Sequence, residues 1–260
     1  MNRLGDLGRW LLAISVIGFG VQQFIYSGYV KGLTLIPWRI PAHTFWAYFM
    51  GALLIICGFC IAFEIMARLA CSLLGALFFA CVLVIHLPDA IAITREILER
   101  TRAFETLAIS GGAFVLARMV KAGKSSSTKW DKPTKKEAEI GWWFFAVSMV
   151  IFGVDQLKSP RFVATEIPAW IPAPLFFSYF TGIGLIVAGL AIATKIQARL
   201  AAAMLGLMFF LWVLILHAPR VASKPHNGDE WNSLLVALAM AGCSFFLAAS
   251  PNAVRKKAGD

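Results

Sequence analysis

Charge is what this 260-residue chain has least of. Only 15% of its residues are charged, 59% are hydrophobic, and mean hydropathy is +0.74. A soluble domain must solvate its surface, and so little charge cannot cover one. Other absences narrow the chemistry. The sequence has no phosphate-binding glycine loop, no cluster at metal-ligand spacing, no nucleophile beside a base and no Cys-x-x-Cys-His haem-attachment motif. Its five cysteines fall in apolar stretches and imply no disulfide framework. Nothing here reads as a soluble catalytic domain.

Long apolar runs are what the chain has instead. A helix crosses a hydrocarbon core of ~30 Å with roughly 20 apolar residues, at ~1.5 Å per residue. Eight segments qualify, at about 9–26, 44–64, 66–86, 104–120, 141–157, 175–194, 197–217 and 231–249. The sequence therefore predicts an all-α integral membrane protein of eight transmembrane helices, with 44–64/66–86 and 175–194/197–217 as hairpins. The first run follows Arg3 and Arg9 in the manner of a signal peptide. Phe24, Ile25, Tyr26 and Tyr29 are too bulky for a cleavage site, so it is expected to remain as a span.

The net charge of +10 is distributed by side. With the N-terminus inside and eight spans, 15 of the 24 basic residues lie inside, leaving about +9 inside and about +1 outside. The basic surplus is thus a topology signal with both termini cytoplasmic. The lipid bilayer, not nucleic acid, is the expected partner. Trp38, Trp46, Tyr48, Trp170, Tyr179 and Trp231 near outer helix ends, and Trp142 and Trp143 at an inner one, read as interfacial anchors.

The chain also repeats itself. A shift of 131 residues superimposes Tyr48-Phe49 on Tyr179-Phe180, Gly51 on Gly182, Gly58 on Gly189, Arg68-Leu69-Ala70 on Arg199-Leu200-Ala201, Gly75 on Gly206, His86 on His217 and Pro88 on Pro219. A shift of 133 matches Phe19-Gly20-Val21 and Gln23 to Phe152-Gly153-Val154 and Gln156. Matches in rare residue types at one spacing predict a duplication. The expected units are a four-helix repeat at 1–120, a basic cytoplasmic linker at 121–139, a second repeat at 140–250 and a basic cytoplasmic tail at 251–260. An even number of spans per unit makes the repeats parallel.

The order of features in each half resembles the DoxX family of bacterial membrane proteins. These are Gly20/Gln23, Pro41, Phe49/Gly51, Arg68-Leu69-Ala70, His86 and Phe104-Glu105, then Gly153/Gln156, Pro172, Phe180/Gly182, Arg199-Leu200-Ala201, His217 and Trp231-Asn232. Gln23 and Gln156 stand where that family usually has Lys, Asn232 replaces an acid, and the tandem arrangement differs from a single four-helix unit. The resemblance implies a bacterial inner-membrane protein with a quinone-linked role, dependent on a redox or membrane protein partner.

Polar groups at membrane depth are candidates for function because they are costly there. Gln23, Tyr48, His86 and Glu105 in one half, and Asp155, Gln156, Tyr179, His217 and Asn232 in the other, are predicted to face the outer mouth of each bundle. Such a cluster can hydrogen-bond a quinone head group, and a His beside a carboxylate can take a proton. Asp155 with His217 is the expected pair. Interhelical polar glue is the competing reading. Haem ligation by His86 and His217 has no supporting motif. Cys57 and Cys60 have redox spacing but sit inside an apolar helix, where thiols pack. Glu64 has the spacing to pair with Arg68, and a contact with Lys195 of the other half is a sharper alternative, but snorkelling to the inner interface explains these charges more cheaply. Function is thus expected to be quinone binding for a redox partner, with a non-catalytic membrane scaffold or a small-solute transporter as alternatives.

Overall fold

The computed structural model describes residues 2–27, 41–86, 97–120 and 135–251; Tyr29, Trp38, Pro88, the linker up to residue 134 and the tail from 252 lie outside them. The described elements are all helical. They are α1 (Arg3–Tyr26), α2 (His43–Ala62), α3 (Ala67–Cys81) with a π turn at Val82–His86, α4 (Ile97–Met119), α5 (Lys135–Lys158) and the short α6 (Pro160–Glu166). There follow α7 (Pro174–Thr194), α8 (Ala198–Trp212) with a π turn at Val213–His217, the short α9 (Ala218–Ser223) and α10 (Gly228–Ala249).

Local chemistry sets the helix ends. Asn2 caps α1 by accepting from the Gly5 amide at 3.0 Å, and Asn227 caps α10 by accepting from Asp229 at 2.9 Å. Asp6 and the Asp229-Glu230 pair add negative charge in those first turns, where the helix dipole favours it. The hairpin turns are tight. Glu64 and Met66 in one, and Lys195 and Gln197 in the other, adopt left-handed φ values of 50° to 58° without being glycine. That conformation costs a non-glycine residue roughly 1–2 kcal/mol and is held here by the helices on either side.

Seven of the described helical segments are long and apolar enough to cross a membrane, as a multi-pass membrane protein requires. They are α1, α2, α3 with its π turn, α5, α7, α8 continued through α9, and α10. The segment predicted at 104–120 is α4, which begins at Ile97 and is not among the seven. Glu99, Arg100, Arg102 and Glu105 charge its first turns.

Burial sorts the helices into a centre and a rim. In α10, 83% of the apolar window is buried, against 28% in α8–α9. On the rim helices Phe49, Leu73, Phe180, Val187, Leu200 and Met204 point outward and are exposed. In water such a surface drives association; in a bilayer it matches its solvent.

Contacts along the chain recur at the spacings of the sequence matches. α1 packs on α2 and on α10, and α5 packs on α7 and on α4. Gly8 meets Gly242 backbone to backbone where α1 crosses α10, and Gly141 meets Gly111 where α5 crosses α4. Gly20 abuts Gly51 and Gly153 abuts Gly182; Gly75 lies under Phe114 and Gly206 under Phe245. These small residues let the backbones approach closely enough for dispersion contacts to accumulate.

Two expectations at the predicted inner ends are overturned. Trp142 is no interfacial anchor: it is 1% exposed, and its indole N–H donates to the Ile192 carbonyl at 2.7 Å, at the end of α7. Arg9 does the corresponding work at α2, donating to the carbonyls of Ile61 and Ala62. Glu64 lies 3.5 Å from Arg9, and Arg68 donates to the Val120 carbonyl at 3.0 Å, so Glu64 is held by α1 and not by Lys195.

Candidate functional site

A cavity of about 420 Å³ opens among α4, α5, α6, α8 and α10. Five of the nine predicted site residues line it: Glu105, Asp155, Gln156, His217 and Asn232. The other four lie elsewhere. Tyr48 and Tyr179 are exposed on the outer faces of α2 and α7, with Tyr48 stacked on Phe24 at 5.2 Å. Gln23 is buried in α1 with its side-chain carbonyl oxygen unpartnered among the described residues. His86 is 2% exposed and its Nε2 lies 3.2 Å from the Thr106 hydroxyl.

The cavity draws on both halves of the chain. Thr101, Arg102 and Glu105 come from α4, which packs against α5. The expectation of one separate polar mouth per half is therefore replaced by a site in which α4 serves the helices of the second half. The register of α10 shifts as well. The shared crossings at Gly111/Gly242 and Phe114/Phe245 place Asn232 opposite the position of Thr101, one turn away from the expected match with Glu105.

Asp155 does not pair with His217. Its carboxylate is 5% exposed and is gripped in a fork by Arg100, with Nε donating to Oδ2 at 2.8 Å and Nη2 donating to Oδ1. A two-point guanidinium contact compensates a carboxylate removed from water better than one point charge does. The sequence reading begins this span at 104, after the charged run 95–102, and so passes over Arg100. Residues 97–102 of that run belong to α4.

Gln156 is fixed by two bonds, its Nε2 donating to the Ser178 carbonyl at 2.7 Å and to the Thr181 hydroxyl at 2.5 Å. His217 ends the π turn of α8, a local widening of the helix that often marks functional positions. Its Nδ1 is buried without a hydrogen-bond partner among the described residues. The matching His86 meets Thr106, whereas the position 131 residues on from Thr106 is Ala237, which lines the cavity and has no hydroxyl to offer. The missing hydroxyl bears on His217 Nε2, the counterpart of the nitrogen that meets Thr106, while Nδ1 is the atom left buried without a partner among the described residues.

A second, larger cavity of about 1010 Å³ lies between α7 and α8 beneath α6 and the 167–171 segment. Its walls are apolar, including Phe177, Phe180, Val187, Met204, Met208 and Leu211. Gln156, Val163, Trp212 and His217 line both spaces and form their common wall. Among the described residues no group of three or more His, Cys, Asp or Glu side chains is placed to hold a metal ion. Cys57 and Cys60 are both free thiols. Comparison of the chain with protein-family models, with curated proteins and with solved structures finds no match.

Proposed function

We propose that this chain is a DoxX-like protein of a bacterial inner membrane, built as two parallel four-helix repeats with cytoplasmic termini. In this reading α4 is the eighth span, its charges shielded by α5, α10 and the cavity they enclose. The chain binds the head group of a quinone or a similar lipophilic molecule on behalf of a redox partner. The observation that carries the reading is the cavity at Asp155, Gln156 and His217. It combines a volume suited to a small-molecule head group with a wall that mixes polar side chains with apolar ones.

The geometry supports the following roles. His217 offers a ring nitrogen to a ligand oxygen, donating to a carbonyl or accepting from a hydroxyl according to its tautomer. Glu105 and Asn232 supply further polar contacts across the cavity. The Arg100–Asp155 pair stiffens the wall and leaves little uncompensated charge there. Electrons come from the partner; this chain positions the acceptor and handles its protons.

Purification in mild detergent, followed by extraction and mass spectrometry of bound molecules, tests the reading with wild type beside His217→Ala. Quinone near one per chain in wild type and depleted in the variant is the expected result. Well-folded wild type carrying no quinone overturns it and returns the scaffold and transporter alternatives.

A further inference from the structure

The geometry points to the groove between α7 and α8 as the seat of the ligand's hydrocarbon tail, entered sideways from the bilayer, with Gly184 keeping that seat open. This rests on the head-group site proposed above and specifies its ligand: an uncharged polar head carrying a long apolar chain.

Three observations carry it. The two cavities meet at Gln156, Val163, Trp212 and His217, so a molecule seated against His217 has its next atoms at the mouth of the groove. The groove wall is apolar, and its own residues Phe180, Val187, Leu200 and Met204 are exposed, so the groove opens to the outside of the bundle, the bilayer side. A Cβ added at Gly184 meets nothing within 4 Å among the described residues. The other helical glycines of α7, Gly182 and Gly189, face side chains of α5 at close range. Gly184 is thus not needed for helix contact, and its missing side chain is groove volume.

Charge selects the head. Arg100 is spent on Asp155, and Arg220 at the groove edge is held by Glu166 at 2.6 Å. The cavity walls add Arg102 against Glu105 and Asp229. No net positive field is left for a phosphate, so an anionic phospholipid is disfavoured relative to a neutral head with hydrogen-bonding oxygens. The tail moves from lipid to an equally apolar groove and gains little there. Blocking the groove, by contrast, evicts it.

The test uses full-length protein in lipid nanodiscs and two probes, a tailless dimethoxy-methyl-benzoquinone and its decyl-tailed analogue. Binding is read by quenching of tryptophan fluorescence, since Trp212 lies in the common wall. Gly184→Phe and Gly184→Phe/Ala191→Phe fill the groove, and the thermal midpoint checks folding. The expected result is about a tenfold or greater loss of affinity for the tailed probe with the tailless one unchanged. Equal binding of both probes by wild type and folded variants overturns the tail seat while leaving the head-group site standing. A protein chain that co-purifies with wild type and is lost from the variants, with tailed binding intact, overturns it in favour of a partner helix. Folded wild type that binds neither probe overturns both readings.

Discussion

The first and second halves of the chain place related residues at matching positions and arrive at opposite outcomes. At the end of α1, Gln22 donates to the Gly228 carbonyl in the first turn of α10 at 3.0 Å, a neutral bond. At the end of α5, Asp155 takes the place of Gln22 and meets Arg100 in the first turn of α4, a buried ion pair. One residue on, Gln156 finds the Thr181 hydroxyl, while the position 131 residues before Thr181 is Met50, which has no hydroxyl to offer Gln23. Then His86 is closed in against Thr106, and His217 looks into open space beside Ala237. On the proposed duplication, two copies share the burden of packing, so that one keeps the closed arrangement and the other loses a hydroxyl, gains a charge and opens. The difference then teaches that the site arises from substitutions on a common frame.

The sharpest way to break that contrast is Arg100→Ala. It leaves Asp155 buried without its counter-ion, at a cost of about 2–4 kcal/mol, below the usual range for a fully buried pair because the Arg100 side chain is 40% exposed. Thermal unfolding in detergent should show a clear drop, largely restored by adding Asp155→Gln to copy the first half. An unchanged midpoint in the single variant removes the ion pair as the distinguishing feature.

The frame is tested by a matched pair of substitutions. Gly242→Ala sets a Cβ 2.7 Å from the Gly8 carbonyl oxygen and 2.9 Å from the Leu12 amide nitrogen, both backbone atoms that can yield only if α1 and α10 separate. Gly111→Ala does the same between α4 and α5, pressing a Cβ on the Gly141 carbonyl oxygen and 3.1 Å from the Phe145 amide nitrogen. Each should cost about 1–3 kcal/mol, and by similar amounts. A large inequality means that the two crossings are not equivalent supports.

The smallest effect is the most specific. Ala237→Thr offers His217 the hydroxyl that Thr106 offers His86. Stability should rise by about 0.6 kcal/mol, the usual worth of an interhelical hydrogen bond in a membrane protein, while quinone retention falls. Retention equal to wild type would separate the open cavity from the missing hydroxyl.

Much of the frame was legible in the sequence because long apolar runs and the 131-residue spacing are properties of the chain itself. The hairpins at 44–64/66–86 and 175–194/197–217 correspond to α2/α3 and α7/α8. The polar candidates were legible as types but not as partners. Which helix Asp155 faces depends on how α4 lies against α5, and no spacing along one helix encodes that. Trp142 shows the same limit, since a tryptophan at a helix end reads as an anchor until the Ile192 carbonyl comes within reach. Arg100 was lost for a different reason. Charge ordinarily marks where a span begins, and α4 carries its charge inside its own length.

The pairing of α1 with α10 also bears on how the protein is made. α1 leaves the ribosome early, yet one of its two main partners is the last of the described helices to be synthesised. The α1 face bearing Gly8 and Leu12 must therefore wait at the insertion machinery, or against lipid, until nearly all of the chain has followed. Final assembly is accordingly a late ring closure, with the long sequence separation that slows such steps. A ribosome stall or truncation just before α10 would leave the six membrane-length segments that precede it with an open seam, the state that membrane quality control is built to detect.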